Sequence, residues 1–183
     1  NSLTFFYQMS ASGNDFIIID NRDDILPENE LSGFITNVCR RRLSAGADGM
    51  ILIEKAAELD FQWRFFNSDG SRAEMCGNGA RCAARFAFLN EIAGPEMVFG
   101  TDAGPIEARV MQAQAKVRMT EPCDYNESLS LEINGQPMTV STINTGVPHA
   151  VIQVDEIEDV DVSSIGREVR NHSAFAPAGT NVN

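Results

Sequence analysis

The sequence predicts an α+β fold in which short, mostly antiparallel strands form a curled sheet around one central helix. The first observation behind this prediction is the segment 77–90, whose apolar residues go nearly all the way round a helix, as in a helix buried on most sides. The second is the series of short apolar runs on both sides of that segment, separated by turn residues. The third is an internal repeat, which predicts two similar lobes.

Four strands and one amphipathic helix are predicted before the central helix. The strands are Leu3–Met9, Phe16–Asp20, Met50–Glu54 and Phe61–Phe66, with a turn at residues 12–15. The helix is Pro27–Arg42, because apolar residues recur along it at i, i+3, i+4, i+7 and i+8. Cys39 lies on this apolar stripe and is expected in the core. The run Arg40-Arg41-Arg42 is interpreted as cations at the helix C-terminus and not as an anion site.

Three further strands are predicted after the central helix, at Met97–Gly100, Ile106–Gln112 and Lys116–Thr120. Glu121-Pro122 breaks this pattern, so we predict an N-terminal lobe at residues 1–120 and the first part of a C-terminal lobe at 121–183. Within the second lobe, Asn134-Gly135 separates two apolar runs and predicts a β-hairpin.

The second lobe repeats the pattern of the first. A glycine-containing turn that leads into an apolar strand ending in Asp occurs at 12–20 and again at 145–155, and a helical segment follows each. Cys76 lies 62 positions after Asn14, and the same offset from Val147 gives position 209, beyond residue 183. We therefore expect the second lobe to be incomplete in this chain.

The composition excludes some classes of partner. The chain has 183 residues, with 26 acidic against 14 basic side chains and a formal net charge of −12. This charge argues against nucleic acid or an anionic membrane as a partner. The sequence has no bilayer-spanning apolar run and no signal-peptide pattern, so we expect a cytoplasmic protein. Its four cysteines and two histidines lack the spacing of a metal site, so we expect reduced thiols and no metal.

Cys76 is the candidate reactive residue. It stands at the start of the central helix and is followed by Gly77-Asn78-Gly79, which lets a ligand approach the backbone closely. The free N–H groups and the positive dipole end of a helix start favour both a thiolate and a bound carboxylate. A small core residue is the other interpretation of an intracellular cysteine. The glycines favour the reactive one.

Several stretches in this chain together resemble the diaminopimelate epimerase family of cofactor-independent amino-acid epimerases. They are Met9–Phe16, Gly46–Gly49, Asn67–Ser71, Cys76–Cys82 and Thr145–His149. The match keeps its order along the whole chain. It implies two similar lobes, each a sheet around a central helix, an amino-acid substrate, no cofactor, and a homodimer in the full-length family.

Inversion at an α-carbon without a cofactor needs a base on one face and an acid on the other, which a thiolate and a thiol can supply. Cys76 fits one member of this pair, with the Gly77 and Asn78 amides holding the substrate carboxylate. Cys82 lies about 9 Å further along the same helix and cannot face Cys76 across a substrate. Cys123 follows a proline and has no glycine turn. With Cys39 in the core, no second thiol qualifies, and the chain alone is expected to be inactive.

The resemblance further implies substrate contacts from Asn14, Asn67 and Asn181. Read without the resemblance, Asn14 is an ordinary turn residue. His149 is either a hydrogen-bonding neighbour of the site or a structural residue.

This sequence departs from the family pattern at several positions. Ser10 and Ala11 stand where many members have His-Gly, and Val147 stands where many have an Asn that touches the distal end of the substrate. The family's second Cys-Gly-x-Gly-Ala stretch and its Glu-Arg pair do not occur in this chain.

Three hypotheses about function follow. The first is an epimerase that interconverts LL- and meso-diaminopimelate with a thiolate and a thiol. The second is a related two-lobe isomerase, of the proline-racemase or phenazine-biosynthesis kind. The third is a non-catalytic ligand-binding fragment.

Overall fold

The computed structural model describes residues 4–183, and within that range the chain forms twelve strands and three α-helices. Two compact units divide after Arg118. The first unit contains the helices α1 (Leu31–Val38) and α2 (Gly77–Leu89). Its strands are β1 Tyr7–Ala11, β2 Asn14–Asp20, β3 Gly49–Glu54, β4 Phe61–Asn67, β5 Arg72–Ala73, β6 Glu96–Thr101, β7 Gly104–Met111 and β8 Gln114–Val117.

The strands of the first unit form one curled sheet in the order β1-β2-β3-β4-β6-β7-β8, with β5 paired to β4. Neighbouring strands are antiparallel except for β2 with β3 and β4 with β6. Helix α2 contacts β1, β2 and β3 from one end of this order and β7 and β8 from the other. One helix touches both ends of the strand order only if the sheet bends around it. The predicted α+β fold, a curled and mostly antiparallel sheet around a central helix, is therefore confirmed.

Helix α2 is enclosed because many of its side chains are small. Four alanines of the helix are completely buried, namely Ala80, Ala83, Ala84 and Ala87. Small side chains let the strands approach the helix closely on several sides. Concave-face side chains of the sheet, among them Ile51, Trp63 and Ile106, pack in the same cluster.

Strands β2 and β3 are buried on both faces. Ile18 and Ile51 belong to the cluster around α2, whereas their chain neighbours Ile17 and Met50 pack with α1 on the opposite face. Burial on both faces explains why the two strands read as continuous apolar runs without alternation.

The turn between β1 and β2 is tighter than predicted. It consists of Ser12 and Gly13, whose φ angles of 47° and 90° are both left-handed. Asn14 and Asp15 therefore belong to β2. The predicted first strand began at Leu3, which lies outside the described residues.

The predicted helix Pro27–Arg42 is too long. Helix α1 covers only Leu31–Val38, after a 3-10 turn at Glu28–Glu30. The Gly46 N–H donates to the Val38 carbonyl at 3.0 Å, which folds the following chain back over the helix end. The three arginines lie in this returning segment, so their interpretation as a helix cap is wrong.

Two other differences concern short strands. The predicted strand Lys116–Thr120 lies too late, because Gln112 has a φ of 54° at the turn and β8 already starts at Gln114. Strand β5 was not predicted; its two residues carry no strand pattern of their own.

The second unit contains a four-stranded sheet in the order β12-β11-β10-β9 and one helix, α3 (Val162–Arg170). Its strands are β9 Cys123–Ile133, β10 Gln136–Asn144, β11 Pro148–Val151 and β12 Asn181–Val182. The predicted hairpin is confirmed, since Asn134 and Gly135 join β9 to β10 with φ angles of 52° and 75°. The core of the second unit contains Leu131, Ile133, Val140, Ala150 and Val169.

Each unit contains the same series of elements. In the first, β1 is antiparallel to β2, α1 follows, and β3 returns parallel to β2. In the second, β10 is antiparallel to β11, α3 follows, and β12 returns parallel to β11. The repeat predicted from the sequence therefore has a counterpart in topology. Within the described residues, no helix is both long and apolar enough to cross a membrane.

Gly49 and Gly33 offer a matched pair of alanine substitutions. A Cβ at Gly49 would lie 2.5 Å from the Phe66 carbonyl oxygen and 2.9 Å from the Phe65 ring. We expect Gly49→Ala to lower the free energy of unfolding by about 1–3 kcal/mol. A Cβ at Gly33, inside α1, would meet no atom within 4 Å. Gly33→Ala should therefore raise the free energy of unfolding by about 0.5–1 kcal/mol. Urea unfolding measures both changes, and a Gly49→Ala variant as stable as the wild type would contradict the close packing of β3 against β4.

Candidate active site

Cys76 occupies the N-cap position of helix α2. Its backbone is extended, with φ −149° and ψ 115°, and its Sγ accepts a hydrogen bond from the Gly79 N–H at 3.4 Å. The first intrahelical bond runs from the Ala80 N–H to the Cys76 carbonyl, at 2.8 Å. The N–H groups of Gly77 and Asn78 precede that donor, so the helix itself does not use them. A half-buried thiol and two backbone donors thus lie together at the positive end of the helix dipole.

The loop that leads to Cys76 is held at two points. At its start, the Asn67 N–H donates to the Ser71 carbonyl at 2.9 Å, and the Asn67 side chain donates to Ser71 Oγ at 3.1 Å. Further on, Arg72 makes two hydrogen bonds of 2.6 Å to the Asp102 carboxylate, in the turn between β6 and β7. These contacts fix the path of the chain into the helix start.

Asn14 and Asn78 contact each other directly. The Asn78 Nδ2 donates to Asn14 Oδ1 at 2.8 Å, and the Asn14 Nδ2 donates to Asp48 Oδ2 at 3.0 Å. Arg81, one turn after Asn78, donates to Asn78 Oδ1 at 2.6 Å and to Ser12 Oγ at 2.9 Å. The two amides are therefore joined to each other, with a carboxylate at one end and a guanidinium at the other.

Asp48 ties together segments that are distant in sequence. Its N–H donates to the Asp15 carbonyl, and its carbonyl accepts from the Ser68 N–H, both at 3.0 Å. The hydrogen bond from Asn14 is the main cause that lowers the pKa of Asp48 below its ordinary value; burial opposes it, and Arg41 lowers the pKa further. The carboxylate is consequently ionised at neutral pH.

Arg41 bridges two carboxylates and does not cap a helix. Its guanidinium lies 2.5 Å from Asp15 Oδ1 and 2.8 Å from Asp48 Oδ1. These acids stand where β2 and β3 begin, and without a cation between them they would repel each other. The interpretation of Arg40–Arg42 as cations at the helix C-terminus failed because Arg41 pairs with Asp15, 26 positions away, and a local sequence pattern does not reveal such a contact.

The structure places the remaining predicted residues at strand ends. Asn67 is the last residue of β4, opposite Gly49 of β3, at the sheet edge where Asn14 begins β2. Asn181 is the first residue of β12 in the second unit, and its side chain donates to the Pro148 carbonyl at 3.3 Å. In that unit, His149 Nδ1 lies 2.8 Å from Asn183 Oδ1. Asn67 and Asn181 are therefore paired strand residues and not members of free loops.

Sequence reasoning did not single out Asp48, Arg81 or Ser12 as site residues. A signal existed for Arg81, because it follows Asn78 by three positions and so shares one helix face with it. Asp48 was noted only as a member of Gly46–Gly49, one of the stretches that resemble the family. Its contact with Asn14 spans 34 positions, and the sequence pattern does not reveal it.

The other cysteines lie in less reactive surroundings. Cys39 and Cys82 are each only 3% exposed, and burial raises the pKa of each thiol to about 11. Cys39 packs in the α1 cluster, so its predicted place in the core is confirmed. Cys123 is exposed at the start of β9, and its hydrogen bond to Asp124 raises the pKa of its thiol. Among residues 4–183, no three His, Cys, Asp or Glu side chains are grouped so that they could hold a metal ion.

Alkylation rates distinguish these thiols. We expect iodoacetamide at pH 8 to modify Cys76 faster than the exposed Cys123, because only Cys76 stands at a helix N-terminus. Cys39 and Cys82 should react slowest, since a thiol with a pKa of about 11 is roughly one-thousandth ionised at that pH and both are buried. Peptide mass spectrometry over time measures the four rates. A Cys76 rate no higher than that of Cys123 would contradict its activation.

Solved structures share the fold at low sequence identity. A hydroxyproline epimerase from Agrobacterium vitis matches with a TM-score of 0.61 at 12% identity. The match covers 88% of this chain and 52% of the epimerase chain. A phenazine biosynthesis protein of the PhzF family from Enterococcus faecalis has a TM-score of 0.59 at 13% identity, covering 88% of this chain and 64% of the other. At these identities the likeness shows the two-lobe fold alone.

Sequence relatives are much closer. The family model described as Diaminopimelate epimerase matches residues 6–123. The diaminopimelate epimerase of Hydrogenobaculum sp. is 47% identical over 94% of this chain and 66% of the relative. That of Aquifex aeolicus is 46% identical over 97% of this chain and 67% of the relative. This chain thus spans about two thirds of the length of these relatives. By these matches, it belongs to the diaminopimelate epimerase family.

Proposed function

We propose that this chain carries one half of the active site of an epimerase that interconverts LL- and meso-diaminopimelate without PLP or another cofactor. The observation that carries the proposal is the Cys76 thiol at the N-cap of α2, beside the N–H groups of Gly77 and Asn78 that the helix leaves free, in a member of this family. Inversion requires that the α-proton leave one face of the carbon and that a proton reach the opposite face. A thiolate can accept the first proton, and a thiol can donate the second.

Cys76 takes or returns the α-proton on one face. The substrate α-carboxylate accepts hydrogen bonds from the N–H groups of Gly77 and Asn78. When the α-proton leaves, negative charge spreads from the α-carbon into this carboxylate. Donors fixed at the positive end of a helix stabilise that charge without having to reorganise.

Side-chain amides bind the remaining polar groups of the substrate. Asn14 and Asn67 lie at one edge of the sheet in the first unit, and Asn14 contacts Asn78. These placements support a shared role for the three amides. Asn181 is assigned to the substrate by resemblance to the family.

The opposite face of the substrate needs a second thiol. Cys39 and Cys82 are buried with raised pKa values, and Cys123 lacks a helix start. The matched relatives are longer than this chain. The proposed reaction therefore requires a second thiol from outside residues 1–183.

We place the protein in the cytoplasm and expect a homodimer. The cytoplasmic assignment is supported by the absence of disulfides among the four cysteines, all of which lie in the described residues. The dimer is supported by aromatic side chains exposed near the edge strand β1, with Phe5 85% and Phe6 47% accessible.

Solvent-deuterium incorporation tests the reaction. In D2O, the complete native polypeptide should convert LL-diaminopimelate to the meso isomer and place deuterium at the α-carbon. Cys76→Ser should reduce turnover at least ~10³-fold, because serine is a far weaker acid and a poor proton acceptor at neutral pH, with little change in melting temperature. Cys123→Ser serves as the control, because this thiol is exposed and plays no part in the proposed reaction. Isomerisation by Cys76→Ser at the native rate would overturn the proposal.

The roles of Asn67 and Asn181 are tested by alanine substitution. If both bind the substrate, Asn67→Ala and Asn181→Ala should reduce kcat/KM about 10-fold or more, the effect of losing a hydrogen bond to a charged group. The melting temperature should fall only slightly, because each side chain makes one hydrogen bond within the described structure. Variants that lose stability while keeping kcat/KM would show that these asparagines are structural.

A further inference from the structure

Four side chains of the first unit form a directional chain of hydrogen bonds, here called the amide relay and made of Arg81, Asn78, Asn14 and Asp48. Arg81 donates to Asn78 Oδ1 at 2.6 Å, Asn78 Nδ2 donates to Asn14 Oδ1 at 2.8 Å, and Asn14 Nδ2 donates to Asp48 Oδ2 at 3.0 Å. Every bond runs in the same direction, from a cation to an anion. Both terminal bonds are charge-assisted, which makes them stronger than bonds between neutral groups.

Each charged end is itself anchored. Asp48 accepts from Arg41 at 2.8 Å and from the Asp15 N–H at 3.2 Å. Arg81 also donates to Ser12 Oγ at 2.9 Å. The relay therefore connects the start of α2 with the starts of β2 and β3 and with the turn before β2.

The charged ends fix which way both amides point. If the Asn14 amide turned over, its oxygen would face the Asp48 carboxylate. If the Asn78 amide turned over, its NH2 group would face the Arg81 guanidinium. Both reversed arrangements set like partial charges against each other, so one orientation is retained.

This orientation leaves hydrogen-bond donors free for a ligand. The Nδ2 atoms of Asn14 and Asn78 each carry two N–H groups, and the relay uses one of each. Among the interactions of residues 4–183, neither remaining N–H has a protein acceptor. Both amide oxygens are already hydrogen-bonded, so the pair presents donors to an anion, next to the free backbone N–H groups of the helix start.

We propose that Arg81 and Asp48 are positioning residues, which act through Asn78 and Asn14 to hold side-chain amide N–H groups toward an anionic group of the substrate other than the α-carboxylate bound by the backbone N–H groups. This inference rests on the proposed epimerase function, since the ligand of these donors is the substrate described above. Neither charged residue needs to contact the substrate for this effect.

Arg85 provides the matched control. It lies one helical turn after Arg81 and carries the same charge, but its guanidinium stacks over the Phe88 ring at 5.9 Å. None of its described contacts reaches the relay. Removing the hydrogen-bond partner that orients a ligating side chain in a metalloenzyme typically costs about 10- to 100-fold in affinity or activity. By analogy, Arg81→Gln should lower kcat/KM about 10- to 100-fold. Arg81→Lys should restore part of the loss, and Arg85→Gln should stay within about twofold of wild type.

A double-mutant cycle on the complete native polypeptide separates positioning from other roles. If Arg81 acts through Asn78, Arg81→Gln should cost almost nothing further once Asn78→Ala is present. The same holds for Asp48→Asn in an Asn14→Ala background. Additive losses in both cycles would overturn the proposal, because a direct substrate contact or a general structural role does not depend on the amide.

Side-chain amide NMR gives a readout that is independent of activity. In Arg81→Gln, the NH2 resonances of Asn78 and Asn14 should both shift, whereas Arg85→Gln should shift neither. Unchanged Asn14 resonances in Arg81→Gln would refute the relay itself. A native polypeptide that shows the relay by NMR but does not epimerise diaminopimelate would refute the proposed function and leave the relay standing.

Discussion

The enclosure of α2 by a curled sheet is the constraint on which the rest of this structure depends. Strands can approach a helix closely on several sides only where its side chains are small, and the four buried alanines of α2 meet that requirement. Enclosure also fixes the helix along its axis. Gly79 shows how closely the helix start is fitted, since a Cβ there would lie 3.3 Å from Ile51 and 3.5 Å from Trp63. The N-cap thiol and the free first-turn amides are consequently held in place by the core and not by the loop alone.

The strand directions explain why polar residues collect beside this helix start. Because β2 and β3 are parallel, both begin at the same edge of the sheet, and β4 ends there. Asn14, Asp48 and Asn67 stand at or next to those three ends. Arg41 bridges the two carboxylates of Asp15 and Asp48, and the Asn14 amide oxygen accepts a hydrogen bond from Asn78. In the proposed reaction, an anionic substrate is bound by the helix dipole and by uncharged hydrogen-bond donors, and Arg41 and Arg81 act on it only through neighbouring side chains.

The sequence allowed much of the framework to be predicted, for reasons that are local. The central helix, the strands at Phe16 and Met50, and the Asn134-Gly135 hairpin all carry their pattern within a few residues. The predictions failed where long-range contacts decide the structure. Helix α1 ends at Val38 because the following chain folds back over it. Arg41 therefore lies outside the helix, where it pairs with Asp15 and Asp48. For the same reason Cys76 was found from its own neighbours, whereas Asp48 depends on a partner 34 positions away.

The enclosed helix also determines the order in which the fold can be completed. Helix α2 contacts β1, β2 and β3, which precede it in the chain, and β7 and β8, which follow it. During synthesis the earlier strands and the helix can associate first, but one side of the helix stays open until the chain through Val117 has emerged. Contacts between such distant segments make folding slow relative to a helical bundle of the same size. Cys76 therefore exists on the growing chain before the surface that holds its helix is closed.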